Sequence, residues 1–372
     1  QPPRVPRAPH TPLTQRCTRS PMPSLAPSTA PRPRVWIFVA WLGAFYLTWL
    51  FLVVVRGYWP LAQAHWPIAV AMAAGSYFAG STPMGGGTVG FPVLVLLFDG
   101  PAALGRDFGF AVQSIGMTSA SIFIISRRQQ VAWPMLRWAM LGSLIGTPLG
   151  LIFIAPLVSG LVVKVLFAVI WASFAMMTLV KLRETAQLEG MTNLPIRFHR
   201  VSGLLVGLFG GAFCAALTGV GIDMIIYAVL VTLVRTDLKI GVPTSVILMA
   251  FTSLIGIATR NLQGTVNPET FGNWIAAAPV VALGAPFGAF VVDKIGRTPT
   301  LIVVAILCIG QFVWTVVEEW AHLGLIGLAI AVGGVLLINL GFHFLHEAGL
   351  RLQAGAAPAV ELPGPEARTR VA

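Results

Sequence analysis

Residues 82–92 read Thr82-Pro83-Met84-Gly85-Gly86-Gly87-Thr88-Val89-Gly90-Phe91-Pro92, in the middle of an apolar stretch that runs from 67 to 98. Glycine lets a chain turn sharply and lets a ligand approach the backbone. Backbone left unwound at membrane depth must be satisfied by protein or by a watery cavity. The helix resumes after Gly87, and a proline near a helix start is tolerated because its N–H would be orphaned there. A second apolar stretch, 202–233, is interrupted in the same way at Thr218-Gly219-Val220-Gly221. The two breaks decide the reading of the fold.

That these stretches lie in a bilayer follows from composition. The 372 residues are 56% hydrophobic and only 10% charged, with a mean hydropathy of +0.83. A soluble domain carries about 25% charged residues. An ordinary cytosolic enzyme, a disordered chain, a disulfide scaffold and a collagen are excluded. The net charge of +11 does not mark a nucleic-acid partner. The basic residues sit between apolar runs and in a basic N-terminal stretch, as cytoplasmic Lys and Arg of a membrane protein do. Cys17, Cys214 and Cys308 show no CxxC or metal spacing and read as inert thiols.

About 20 apolar residues span a bilayer core. Full-length candidates fall at 35–56, 105–126, 134–156, 160–180, 240–260, 272–292, 299–317 and 321–344. The run from Val35 to Val55 exceeds a signal-peptide core and no small-residue cleavage site follows, so it is taken as a transmembrane helix. Residues 1–33 and 347–372 read as disordered tails, the first basic and cytoplasmic. The remaining divisions are a first helix at 34–57, repeat 1 at 64–183, a cytoplasmic loop at 184–200, repeat 2 at 201–318 and a last helix at 320–346.

The repeat rests on three ordered matches. Gly85-Gly86-Gly87 pairs with Gly219-Val220-Gly221, and Thr118-Ser119 with Thr252-Ser253, both at an offset of 134. Gly146-Thr147-Pro148-Leu149-Gly150 pairs with Gly284-Ala285-Pro286-Phe287-Gly288 at 138, which implies an insertion near Asn261 to Pro268. Charge then orients the chain. If each broken stretch returns to its own side, 20 Lys and Arg lie inside and 4 outside; if each crosses, the division is 15 to 9. The positive-inside rule selects the hairpins. Each repeat is then one hairpin plus three crossings, an odd number, so the repeats are inverted. The expected fold is all-α and polytopic: two inverted repeats, each a broken re-entrant hairpin with three transmembrane helices, and one extra helix at each end.

The breaks are candidate binding elements. A half-helix start presents free N–H groups and a positive dipole end, which favour an anion. Gly85, Gly86, Gly87 and Thr88 form the first break; Thr218, Gly219 and Gly221 form the second. A kink without a ligand is the alternative. Asp223, just past the second break, is an ionisable residue inside a membrane segment. It is read either as the carrier of a coupling proton or as a helix cap. Gln113, Ser114, Thr118 and Ser119 lie along one apolar run, and Thr244, Ser245, Thr252 and Ser253 along its partner. Their neutral hydroxyls and amide suit an oxyanion; interhelical bonding is the competing reading. The GxxxG series at Gly142, Gly146 and Gly150, and at Gly203, Gly207 and Gly211, reads as close helix packing. Arg106-Asp107 reads as a local ion pair and Arg260 as a loop charge. The histidines lack metal spacing and no HExxH occurs, so neither a metal nor a cofactor is expected.

With these residues the chain resembles the sulfite exporter TauE/SafE family, within the toluene sulfonate uptake permease superfamily, over about residues 64–318. The resemblance rests on Gly85-Gly86-Gly87-Thr88-Val89-Gly90-Phe91-Pro92, on the segment order after each break, and on the paired Gly-x-Pro-x-Gly elements. It implies a multi-pass protein of the cytoplasmic membrane that moves sulfite or organosulfonates, with export as the expected direction and alternating access as the mechanism. It places Gly85, Gly86, Gly87 and Pro92 in the binding loop. The second repeat departs from the motif: its proline is absent and Asp223 stands near that place. The expected partners are a small anionic substrate, the lipid bilayer, a coupling proton or sodium ion and a second copy of the chain, with no nucleic acid. The readings kept beside this one are transport of another small anion, such as a carboxylate or other oxyanion, a non-transporting scaffold, and an embedded enzyme.

Overall fold

The computed structural model describes residues 33–295 and 298–355. The tail expected over 1–32, the end of the chain beyond 355, Cys17 and Arg297 lie outside the described residues. Every regular element among the described residues is helical. Nine of these helices are long and apolar enough to cross a membrane.

The order is α1 (Val35–Val55), a short α2 (Trp59–Ala64), α3 (Trp66–Ser81), α4 (Gly87–Leu97), α5 (Ala102–Ser126), α6 (Trp133–Leu157) and α7 (Gly160–Thr185). There follow α8 (Ile196–Thr218), α9 (Ile222–Leu233), α10 (Leu238–Leu262), α11 (Glu269–Ile295), α12 (Thr298–Glu318) and α13 (Trp320–Gly355). Helices α3 and α4 are the arms of the first broken hairpin, α8 and α9 those of the second. The last helix runs past the expected boundary at 346. It stays helical because it is docked: Gly349 lies against the Thr232 and Leu233 backbone, and Leu352 packs on the main core.

Each hairpin closes on the end where it began. Val234 O accepts from Thr192 N (3.3 Å) and Asp237 N donates to Gly190 O (2.7 Å), which ties the end of α9 to the loop that precedes α8. His65 and Pro67 share a cleft of about 210 Å³ with Phe98, Gly100 and Leu104, so α4 ends where α3 starts. Glu269 and Asn273 line that cleft as well, which puts the start of α11 at the same end.

The local geometry recurs at a constant step. Helix α5 starts at Ala102 and α10 at Leu238; they end at Ser126 and Leu262, each 136 residues apart. Both half-helices finish in a wide π turn, Val93–Leu97 and Val229–Leu233. Two residues on, a non-glycine takes the left-handed conformation, Asp99 (φ 52°) and Arg235 (φ 53°). Gly100 N then reaches back to Leu94 O (2.9 Å), as Thr236 N does to Leu230 O (3.0 Å). Helices α6 and α11 start at Trp133 and Glu269, again 136 apart, so no insertion lies near 261–268. The apparent offsets of 134 and 138 came from glycines and hydroxyls that recur for packing and do not occupy equivalent positions. In the true register Gly85 (φ 66°) matches Gly221 (φ 95°), and Asp223 matches Gly87, not Pro92. Left-handed backbone is open to glycine at little cost, which explains why the breaks are built on it.

Lipid tails are as apolar as leucine, so helices in a bilayer associate through close packing and hydrogen bonds. The glycine series supply the first. A Cβ on Gly146 would collide with Leu208 O of α8, and one on Gly207 with Ala139 O of α6. The first hairpin repeats the device on the other half: a Cβ on Gly284 would strike Ser76, and one on Gly288 would strike Tyr77 O. The first arm of each hairpin is therefore clasped by a helix of the other half, α3 by α11 and α8 by α6.

Helices α5 and α10 run in opposite directions at the centre. Asp107 at the start of α5 pairs with Arg260 at the end of α10 (2.9 Å). At the opposite end Ala132 N donates to Thr244 Oγ1 (2.9 Å).

Candidate functional site

The two breaks meet. A Cβ on Gly87 would run into Val220 of the second break, and a Cβ on Gly219 into the backbone of Arg106 on α5. A Cβ on Gly85 would stand 2.8 Å from Asp223 Oδ2 and 3.2 Å from Gln113 Oε1. Residues from the first break, α5 and α9 thus converge on one buried point, brought together by the interlock of the hairpins.

Polar atoms at that point are left unpaired. Asp223 Oδ1 accepts from Met224 N (3.1 Å), while Asp223 Oδ2 and both amide atoms of Gln113 have no hydrogen-bond partner among the described residues. Asp223 is 0% and Gln113 2% exposed. Unpaired buried polar groups are rare in native proteins, and each calls for an explanation such as a water, an ion or a catalytic or binding role. Beside them Gly86, Gln113, Met72 and Met117 enclose a void of about 10 Å³. That is room for about one water. The described ion pairs leave this carboxylate without a basic partner.

Tryptophan holds the breaks in register. Trp171 of α7 is fully buried and stacks on Phe167 (3.8 Å between ring centroids), which stacks on Phe91 of α4 (4.2 Å). Its indole Nε1 donates to Thr88 Oγ1 (2.9 Å), and its ring would stand 3.1 Å from a Cβ on Gly221. One side chain therefore touches both breaks.

The other expected residues fall into distinct surroundings. Thr88 donates to Met84 O (2.8 Å) while accepting from Trp171, so its one proton is committed and one acceptor lone pair stays open. Thr218 Oγ1 lies 2.9 Å from the Cys214 and Val220 carbonyl oxygens, closing the second break on itself. Ser119 donates to Ala282 O (2.6 Å) across to α11. Thr252 shares a 2.7 Å bond with Ser143, which also faces Thr147 at 3.2 Å, in a ladder between α6 and α10. Thr118 and Ser253 keep buried hydroxyls without partners. Pro92 is the last residue of the α-helical part of α4, immediately before its π turn.

Two contributors carried no motif. Trp171 lies mid-span, away from the interfacial belt where tryptophan is common, and that displacement was the signal that its N–H serves an interior partner. Met84 receives the Cys308 thiol of α12 (3.4 Å), a contact no spacing in the sequence announces.

Comparison with known proteins adds one finding. A family model described as "Sulfite exporter TauE/SafE" matches residues 67–315, more than half of the 372-residue chain. The match starts in the first arm of the first hairpin and ends in α12, with α1 and α13 outside it. No curated protein and no solved structure matches.

Proposed function

The chain belongs to the sulfite exporter TauE/SafE family, and from that premise we propose that it carries small sulfur oxyanions, sulfite or short organosulfonates, across the cytoplasmic membrane by alternating access. The halves act as inverted repeats, and the crossing of their breaks is the substrate site. One observation carries this reading: Asp223 Oδ2 of the second break and the Gln113 amide of α5, buried and without partners among the described residues, face the same glycine, Gly85 of the first break.

The chemistry of such a site is constrained by its charge. An ionised Asp223 repels an anion; a protonated one does not and can donate to it. Gln113 Nε2 and the N–H groups that precede the first bonded turn of α4 supply neutral donors, which suit an oxyanion without adding a charge to desolvate. Proton and anion therefore occupy the crossing together, and Asp223 is the coupling residue. The water-sized void is too small for a four-atom oxyanion. Loading requires the breaks to separate, and the closed crossing corresponds to the occluded form between two open ones. Movement of one repeat against the other opens it to alternate faces.

Uptake of radiolabelled sulfite into proteoliposomes, with and without a pH gradient, tests this. Saturable flux that rises with an inward proton gradient is expected, and a Gly86→Trp variant that fills the void should abolish it. Full flux in Gly86→Trp protein would place the path elsewhere.

A further inference from the structure

Among the described residues, no ion pair brings a positive side chain to the Asp223 carboxylate, yet a buried cation stands close by. Arg106 lies seven residues before Gln113 on α5. At about 3.6 residues per turn this separation returns to nearly the same helix face, roughly 10 Å along the axis. The Arg106 carbonyl abuts Gly219, so this turn of α5 is part of the wall of the second break. The Arg106 side chain is only 10% exposed.

Its charge is poorly matched. Arg106 Nε donates to Asp107 Oδ1 at 3.3 Å, and among the described residues its two terminal nitrogens have no partner. Asp107 has three other donors. Arg260 takes Oδ1 through Nε (2.9 Å) and Oδ2 through Nη2 (3.0 Å), and Asn267 N takes Oδ2 (3.0 Å). Arg260 also donates to Thr265 O, while among the described residues Arg106 has no such second acceptor. One buried carboxylate thus faces two guanidinium groups. The terminal nitrogens of Arg106 are not among the fully buried unpaired atoms, so a fork of two donors stands open to a second negative partner.

We propose that Arg106 is a second anion site, which takes a small oxyanion through its terminal nitrogens beneath the loop at 261–268 and hands it along α5 to Gln113. The planar fork selects a group with two oxygens on one atom, as in sulfite, sulfonate or carboxylate. The inference rests on the crossing being an anion path, and it supplies the attraction that the crossing lacks. Asp107 and Arg260 are then positioning residues, holding Arg106 while leaving its fork free.

Equilibrium binding of radiolabelled sulfite to the purified full chain tests the site apart from flux. In the Gly86→Trp background, where the crossing is blocked, sulfite binding should persist. Adding Arg106→Gln should weaken it at least about tenfold, and Arg106→Lys, with the charge but not the fork, should recover part of it. No binding in the blocked background, or binding that Arg106→Gln leaves unchanged, overturns the proposal, whatever the flux assay gives. If Arg106→Gln protein does not fold, wild-type crystals soaked in selenate decide. A selenium anomalous peak within hydrogen-bond distance of the Arg106 terminal nitrogens is expected, and an empty fork there overturns it.

Discussion

Asp223 stands where the first repeat has Gly87, and the crossing depends on that asymmetry. Two carboxylates at matched positions would repel each other and any anion; one carboxylate beside a glycine leaves room for a proton and a ligand. On the proposal that Asp223 carries the coupling proton, a higher pH restores a negative charge at the site, and anion flux should fall as pH rises. In Asp223→Asn protein the charge cannot return, and the flux should be flat with pH; a profile unchanged from wild type removes the residue from coupling. Thr88 makes a different prediction. Thr88→Val leaves the buried Trp171 N–H without its acceptor, at a cost of about 1–3 kcal/mol. The variant should melt earlier in detergent yet keep its substrate affinity, because the one proton of the hydroxyl already goes to Met84 O and none is left to donate to an anion. At this scale the sequence disclosed which residues are unusual for a membrane helix, the glycines and Asp223. It did not disclose which hydroxyls are free. A Ser or Thr in a helix finds its own i−4 carbonyl, as Thr218 does at Cys214, without any mark in the sequence.

At the scale of elements, the interlocked glycines set how closely the arms approach. Gly207→Val would push α8 off α6, since a Cβ there meets the Ala139 carbonyl. Such overpacking costs about 1–3 kcal/mol, and a lower melting temperature in detergent is the expected outcome. Gly310→Ala is the control. A Cβ there meets nothing within 4 Å, and alanine favours helix over glycine by up to about 1 kcal/mol, so its melting temperature should hold or rise. Equal losses in the two variants would mean that helix propensity, not the clasp, is being measured. The GxxxG spacing made the packing faces legible before any coordinates. Which helix each face meets was not legible, because α8 clasps α6 from about sixty residues away in the chain. Register was misread for a related reason. Glycines chosen for packing sit at 134 and 138, while the turns and helix starts that define the repeat sit at 136.

For the whole molecule, the two hairpins open at opposite ends and meet tip to tip, with an ion cluster at each end. Asp107 and Arg260 close one, and Glu184 draws Arg235 (2.5 Å), Lys181 (3.7 Å) and His346 (3.4 Å) together at the other. Between these polar tethers the crossing holds a void of about 10 Å³. Charge counting along the chain favours returning hairpins over crossings, and the backbone bonds of Asp237 to Gly190 and Thr192 to Val234 put the end of α9 beside the loop before α8. That the two breaks meet is expected from a duplicated broken stretch; that Asp223 comes to face Gly85 and Gln113, each more than a hundred positions away, is set by packing that no motif announces.

That meeting is the central claim, and coupled flux measures it most directly. Lumenal pH and radiolabelled methanesulfonate would be followed together in proteoliposomes, the sulfonate being chosen because, unlike sulfite, it carries no proton near neutral pH. The account predicts that protons enter with the sulfonate in wild-type protein, that Asp223→Asn severs proton entry from sulfonate movement, and that Gly86→Trp stops the two together. Sulfonate movement with no accompanying proton in wild-type protein, or undiminished movement in Gly86→Trp, would contradict it.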